Sequence, residues 1–207
     1  MEIDIKSEEA ICSMRKAGKV LGDTLKYLKS IAKENMTTKD LDVEAEKFIK
    51  SYGMVPGFKG YNGYPATICS SVNDEVVHTM PNNRKLACGD ILTIDCGVIY
   101  EGWNTDAAIT FGIGAIDDEI SSFIDVAKQA FLEGVKFVKP GNRIGDISHA
   151  IQKKVESAGF NIVRELTGHG IGRKLHEYPN VPNYGKPHSG HVLKPGMTIA
   201  IEPIITR

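Results

Sequence analysis

Two aspartates pose the first chemical question in this 207-residue chain. Asp95 and Asp106 bracket the segment Cys96 to Thr105, which reads as two arms of a β-hairpin turning near Glu101-Gly102. A turn centred between residues 100 and 101 sets them directly opposite on one face, with Cβ atoms about 4.5 to 5.5 Å apart. Two carboxylates that close repel unless one is protonated or a cation lies between them. A register moved by one residue would send them to opposite faces instead. His169 stands in Thr167-Gly168-His169-Gly170-Ile171-Gly172, where the glycines let the backbone approach a ligand and leave the imidazole accessible. A phosphate loop should open a helix, and Arg173 to Pro179 offers no helical start, so the phosphate reading is the weaker one. Glu202 interrupts an apolar run as Ile201-Glu202-Pro203, where a buried carboxylate is costly unless paired or coordinated. Oxygen-rich with one nitrogen, this set suits a first-row divalent ion such as Mn, Fe, Co or Zn.

Helices and strands must position these groups. Apolar residues at Ile11, Met14, Gly18, Leu21, Leu25, Leu28 and Ala32 predict a helix from Ser7 to about Glu34. A second helix runs from a cap at Thr37 or Thr38 to Gly53, a third from Asp117 to Lys139, and a fourth from Arg143 or Ile144 to Gly159. β-type runs fall at Thr67 to Val77, Asp90 to Val98, Asp106 to Phe111, Ile162 to Gly168 and Thr198 to Ile205. The fold class is therefore α+β.

Both halves read helix, helix, strands, and the likeness extends to residues. An offset of 106 lays Asp40, Lys47, Ser51 and Gly53 on Asp146, Lys153, Ser157 and Gly159; an offset of 107 lays Leu86 to Asp95 on Leu193 to Glu202. Two segments with nearly one offset predict a duplicated, pseudo-twofold single domain over 1–207, with repeats of about 1–112 and 113–207. Asp95 and Glu202, closing the matched strands, would then face each other across the pseudo-axis.

Composition excludes several classes. With 42% hydrophobic and 25% charged residues the chain is neither disordered nor fibrous. A net charge of -1 gives no global attraction to nucleic acid or anionic membrane. No apolar stretch nears eighteen residues, and the N-terminus, Met1-Glu2-Ile3-Asp4, is acidic where a secretory signal is basic, so a soluble, cytoplasmic chain is expected. Cys12, Cys69, Cys88 and Cys96 form no C-x-x-C pair and are expected as buried thiols in a reducing compartment.

The series Asp95-Cys-Gly, Asn104-Thr-Asp106, Thr167-Gly-His169-Gly-Ile-Gly and Ile201-Glu202-Pro203, with Gly63-Tyr64-Pro65, Ser71-Val-Asn73 and His78, resembles the type I methionine aminopeptidases from the first helix to the last residue. The resemblance implies a pita-bread fold and two divalent metal ions. It implies removal of the initiator methionine from the N-terminus of nascent polypeptides when the second residue is small, by a monomer acting at the ribosome. On that likeness Asp95 chelates one metal, Asp106 helps to bridge both, and His169 and Glu202 complete the other side, Glu202 also serving as general base. His78 and His176 would contact the scissile amide, and Tyr61, Tyr64, Cys69 and Leu175 would form the methionine pocket. Phe58 stands where the family often has a small residue.

The family pattern also has a fifth ligand, a glutamate roughly thirty residues beyond the Ile-Glu-Pro motif, and the internal repeat puts the partner of Asp106 near position 213, past Arg207. The chain is thus expected to be a C-terminally truncated pita-bread domain lacking its last strands, with reduced activity. The alternative is a catalytically dead pita-bread module that binds peptides or proteins. A prolidase or Xaa-Pro aminopeptidase is disfavoured by the short N-terminal segment.

Overall fold

The computed structural model describes residues 2–207; Met1, the first residue of the acidic N-terminus, lies outside the described residues. The chain groups into two compact units, Glu9–Ser121, and the N-terminal residues through Glu8 together with Ser122–Arg207. The division falls later than residue 112. Ile113 is buried and exchanges backbone hydrogen bonds with Gly89 and Asp90, which keeps that segment in the first unit. The N-terminal segment joins the second because Lys6 N donates to Gly196 O at 2.8 Å.

The first unit begins with α1 (Glu8–Ile31) and α2 (Thr38–Ser51), then β1 (Val55–Pro56), a 3-10 turn (Tyr61–Gly63), β2 (Ile68–Val72), β3 (Ile91–Tyr100) and β4 (Trp103–Gly112). All pairings are antiparallel: β3 pairs with β4, and also with β1 and β2. Alternation does the sorting. Leu92, Ile94, Cys96 and Val98 of β3 are buried in one cluster with Leu21, Leu25 and Leu28 of α1 and Leu41, Ala45 and Ile49 of α2, leaving Asp95 on the opposite face. The helix α2 starts at Thr37, where Asp40 accepts from the Thr37 N–H and returns the bond through its own N–H to Thr37 Oγ1, a capping box.

In the second unit α3 (Asp118–Val135) is followed by α4 (Ile144–Ser157), β5 (Asn161–Ile162), β6 (Thr167–Gly170), β7 (Glu177–Pro182) and β8 (Ile205–Thr206). Here several features recur at the offsets of 106 and 107. The limits of α4 lie 106 residues beyond those of α2, and Asp146 accepts from Arg143 N as Asp40 does from Thr37 N. The β1–β3 register Val55↔Ile99 and Pro56↔Val98 returns as Asn161↔Thr206 and Ile162↔Ile205 between β5 and β8. Thr37↔Lys85 returns as Arg143↔Val192, and Asn35 N→Leu86 O as Gly141 N→Leu193 O.

Several expectations need correction. The third helix stops at Val135 rather than Lys139: Phe137 and Val138 donate to Gly134 and Val135 in tighter turns ahead of Pro140. The expected strand from 198 to 205 pairs regularly only at Ile205–Thr206, because Pro203 has no N–H to offer a ladder. The strand β7 was not expected, its prolines at 179 and 182 hiding it. Cys69 and Cys96 are buried, but Cys12 and Cys88 are exposed. On α3 and just beyond it, Phe131, Leu132, Val135, Phe137 and Val138 are exposed. Among the described residues no helix is long and apolar enough to cross a membrane.

Candidate metal centre

In the first unit the β3–β4 hairpin turns through Glu101 and Gly102, whose φ of 52° and 75° match the two-residue turn favoured by strand twist. Tyr100 pairs with Trp103, so the turn is centred one residue later than the symmetric placement of Asp95 and Asp106 requires. Asp95 therefore lies opposite Ala108, and Asp106 opposite Gly97. The two are diagonal rather than direct neighbours, at about 7 to 8 Å. Diagonal partners two residues apart keep the same face, so both carboxylates stay on the side away from the helices.

Cys69 of β2 lies directly opposite Asp95. Burial pushes its thiol up to about 11, and the negative charges of Asp95, Asp106 and Asp42 act in the same direction against the Tyr64 hydroxyl. The thiol is therefore a neutral, apolar wall at neutral pH. Tyr64 donates its hydroxyl to Ile68 O at 2.8 Å, and its own ionisation is pushed far up by burial. Asp42, which was not singled out from the sequence, accepts from Thr67 N (2.7 Å) and Ile68 N (3.0 Å) and so fixes where β2 begins. Phe58 is buried over Gly97: a Cβ there would stand 2.8 Å from its Cε1. Tyr61 sits in the 3-10 turn, exposed at its edge, and His78 is exposed with a left-handed φ of 59°.

In the second unit His169 N donates to Ala200 O (3.2 Å) and Ala200 N to His169 O (2.7 Å). That antiparallel pairing makes Glu202 the diagonal neighbour of His169 on one face. A Cβ at Gly168 would collide with Ala200 O, so glycine permits the approach. His169 Nδ1 lies 2.8 Å from Gly170 O, and since a carbonyl only accepts, Nδ1 donates to it. Its Nε2 stands 3.2 Å from the buried Glu202 Oε1. A histidine nitrogen and a carboxylate oxygen this close on one face are a donor pair of the kind a divalent cation takes. The His176 ring lies 4.3 Å from that of His169, tilted by 60°. Leu175, next to it, is buried. Asn183, fully buried and also missed from sequence, donates to Glu202 O at 2.6 Å and holds its backbone.

Among the described residues no three or more His, Cys, Asp or Glu side chains gather into one metal-holding group. The donors stand as pairs: Asp95 with Asp106 on one face of the first unit, and His169 with Glu202 in the second. Oxygen donors plus one imidazole nitrogen, whose ring is oriented by a backbone carbonyl, fit a divalent transition ion.

The model of metallopeptidase family M24 matches residues 12–207. The chain belongs to metallopeptidase family M24. It is thus an enzyme that hydrolyses peptide bonds with metal assistance. A methionine aminopeptidase of Clostridium acetobutylicum is 51% identical over 204 residues, covering 98% of this chain and 82% of that relative. Methionine aminopeptidase 1 of Bacillus subtilis is 45% identical over 200 residues, covering 97% and 81%. The crystal structure of a methionine aminopeptidase from Thermotoga maritima superposes with a TM-score of 0.96 at 42% identity, over 99% of this chain and 82% of that one. A prolidase from Pyrococcus furiosus, at 22% identity and a TM-score of 0.84, shares the fold alone. The fold of this family member is the pita-bread fold expected from the sequence, and the metallopeptidase reading prevails over a binding module.

Proposed function

We propose that this family M24 member removes the N-terminal methionine from new polypeptides whose second residue is small, acting in the cytoplasm as a monomer at the ribosome. What supports the reading is the identity of 51% and 45%, over nearly the whole chain, to methionine aminopeptidases. Asp95, Asp106, His169 and Glu202 would hold two divalent ions, Co, Mn, Fe or Zn. When bound, such ions act as Lewis acids that lower the pKa of water and polarise the scissile carbonyl.

The chain's own residues supply the rest. Glu202 accepts the proton of the attacking water as general base, and its buried oxygen beside His169 suits that task. His176, its ring tilted against that of His169, and His78, on its exposed left-handed backbone, hydrogen-bond the scissile amide and steady the tetrahedral intermediate. Tyr61, Tyr64, Cys69 and Leu175 receive the thioether side chain, Cys69 as a neutral thiol. Specificity for a free terminus follows from the need to place an unblocked amine at the metal-binding residues.

The test is peptide hydrolysis by protein equilibrated with Mn or Co. Met-Ala and Met-Gly peptides should release methionine while acetylated Met-Ala should not, and chelation should stop the reaction. Equal turnover of the acetylated peptide would overturn the assignment.

A further inference from the structure

Beside the His176 loop, in the same unit, lies a buried charge that the proposed reaction does not use. The Lys6 side chain is 2% exposed, and its Nζ lies 2.5 Å from Glu177 Oε2 and 3.0 Å from Asp4 Oδ2. Glu177 follows His176 directly and closes a tight loop: its other oxygen accepts from Lys174 N at 3.0 Å, and Gly172 N donates to Lys174 O at 3.0 Å. The lysine stem lies against Gly172, where an added Cβ would collide with Lys6 Cε. The backbone of Lys6 is pinned as well, to Gly196 O at 2.8 Å. One residue from the start of the chain therefore grips both ends of the Gly172–Glu177 loop, which carries Leu175 and His176 between β6 and β7.

A buried ion pair is poor evidence of stabilisation, since apolar residues of equal volume often serve as well. Its effect is to admit one arrangement, because any loop conformation that moves Glu177 away leaves an ammonium buried with Asp4 alone. The imidazole of His176, whose ring lies 4.3 Å from that of His169, is carried on that loop.

We propose that Lys6 is a positioning residue for His176: its buried ammonium, through Glu177, fixes the 172–177 loop in the conformation that presents the imidazole. The inference rests on the reading in which His176 meets the substrate amide. Loop order and kinetics are measured on the whole chain for Lys6→Met, for the charge-free pair Lys6→Met/Glu177→Gln, which leaves no unpaired buried charge, for His176→Ala, and for Lys6→Met/His176→Ala. In the metal-free protein, amide hydrogen exchange across residues 172–177 should quicken by about tenfold in both Lys6 variants, with β2 and β3 unchanged. With metal, both should lose about tenfold in kcat on a Met-Ala peptide with KM within about twofold, and the Lys6→Met/His176→Ala chain should be no slower than His176→Ala. Unchanged loop exchange, or losses that multiply in the double variant, would overturn the role of Lys6 while leaving His176 in place. Wild-type rates from His176→Ala would instead overturn the reading of His176 and the proposal with it.

Discussion

The two compact units are built on one backbone plan and carry different chemistry on it. Helix limits, the capping aspartates and the return-strand registers recur at offsets of 106 and 107. Yet in the first unit two aspartates lie diagonally across a regular hairpin of two ten-residue strands, while in the second a histidine and a glutamate lie diagonally between β6 and an irregular segment interrupted by Pro203. Positions whose side chains pack a core, or whose backbone must be capped, are repeated: Leu41, Ala45 and Ile49 become Ile147, Ile151 and Val155, all fully buried. Asp95 and Asp106 lie on the face of β3 and β4 away from the helices and are free of that demand, and the matching position of Asp95 in the second unit is Glu202. Packing thus retains the scaffold, while the proposed ligands differ between the units.

The comparison breaks first at the donors. Asp106→Asn in one unit and Glu202→Gln in the other should each reduce hydrolysis of a Met-Ala peptide by about 10²- to 10⁴-fold, since each removes a charge that a metal or a proton needs. A loss from one variant only, measured as kcat/KM, would mean that the units do not contribute alike.

The next largest effect concerns packing on the donor face. Gly97→Ala puts a Cβ 2.8 Å from Phe58 Cε1 and 3.2 Å from Thr105 O, and should destabilise by about 2 kcal/mol in urea unfolding. Adding Phe58→Leu should recover about half of that, because the ring is the movable neighbour and the carbonyl is not.

The caps sharpen the likeness further. Asp146 accepts from Arg143 N and His188 N, both at 2.7 Å, and is 8% exposed, whereas Asp40 bonds only within its own first turn and is exposed. Asp146→Ala should cost about 2 kcal/mol and Asp40→Ala visibly less, by the same urea assay. The hydrogen bonds to Asp146 hold its carboxyl below the ordinary carboxylate range. A lowered folded value means its contribution is complete above the unfolded pKa of about 4 and fades as pH falls through the folded one. The stability gap between wild type and Asp146→Ala should therefore stay constant from neutral pH to about 5 and close in more acidic solution.

The smallest effect is a labelling pattern. Iodoacetamide at mildly alkaline pH should modify Cys12 and Cys88, which are exposed, and spare Cys69 and Cys96, whose thiols are pushed up by burial. Prompt labelling of Cys69 would show a donor face more open than the one described.

Much of this was legible from residues alone. The four helices follow from apolar spacing and caps, and of the two candidate starts for each of α2 and α4, Thr37 or Thr38 and Arg143 or Ile144, the structure uses Thr37 and Arg143 as caps. The duplication was readable because core and cap positions tolerate few residue types. The hairpin was legible as a hairpin, but its register was not: symmetric placement of two charges is a weaker constraint than a Glu-Gly turn in which both residues take positive φ. The strand β7 went unseen because Pro179 and Pro182 erase the period-2 signal, although every second residue still packs inward at Pro179 and Val181. Lys6, Asp42 and Asn183 could not be singled out, since each acts through a partner at least 19 residues away in sequence, namely Glu177, Thr67 and Glu202.

The most direct test of the two-unit account is the metal content of the purified chain after equilibration with Mn or Co and desalting, measured by elemental analysis. Wild type should retain divalent metal. Asp106→Asn and Glu202→Gln should each retain clearly less, because each removes a donor from a different unit. Metal content equal to wild type in either variant would contradict the claim that both units contribute ligands.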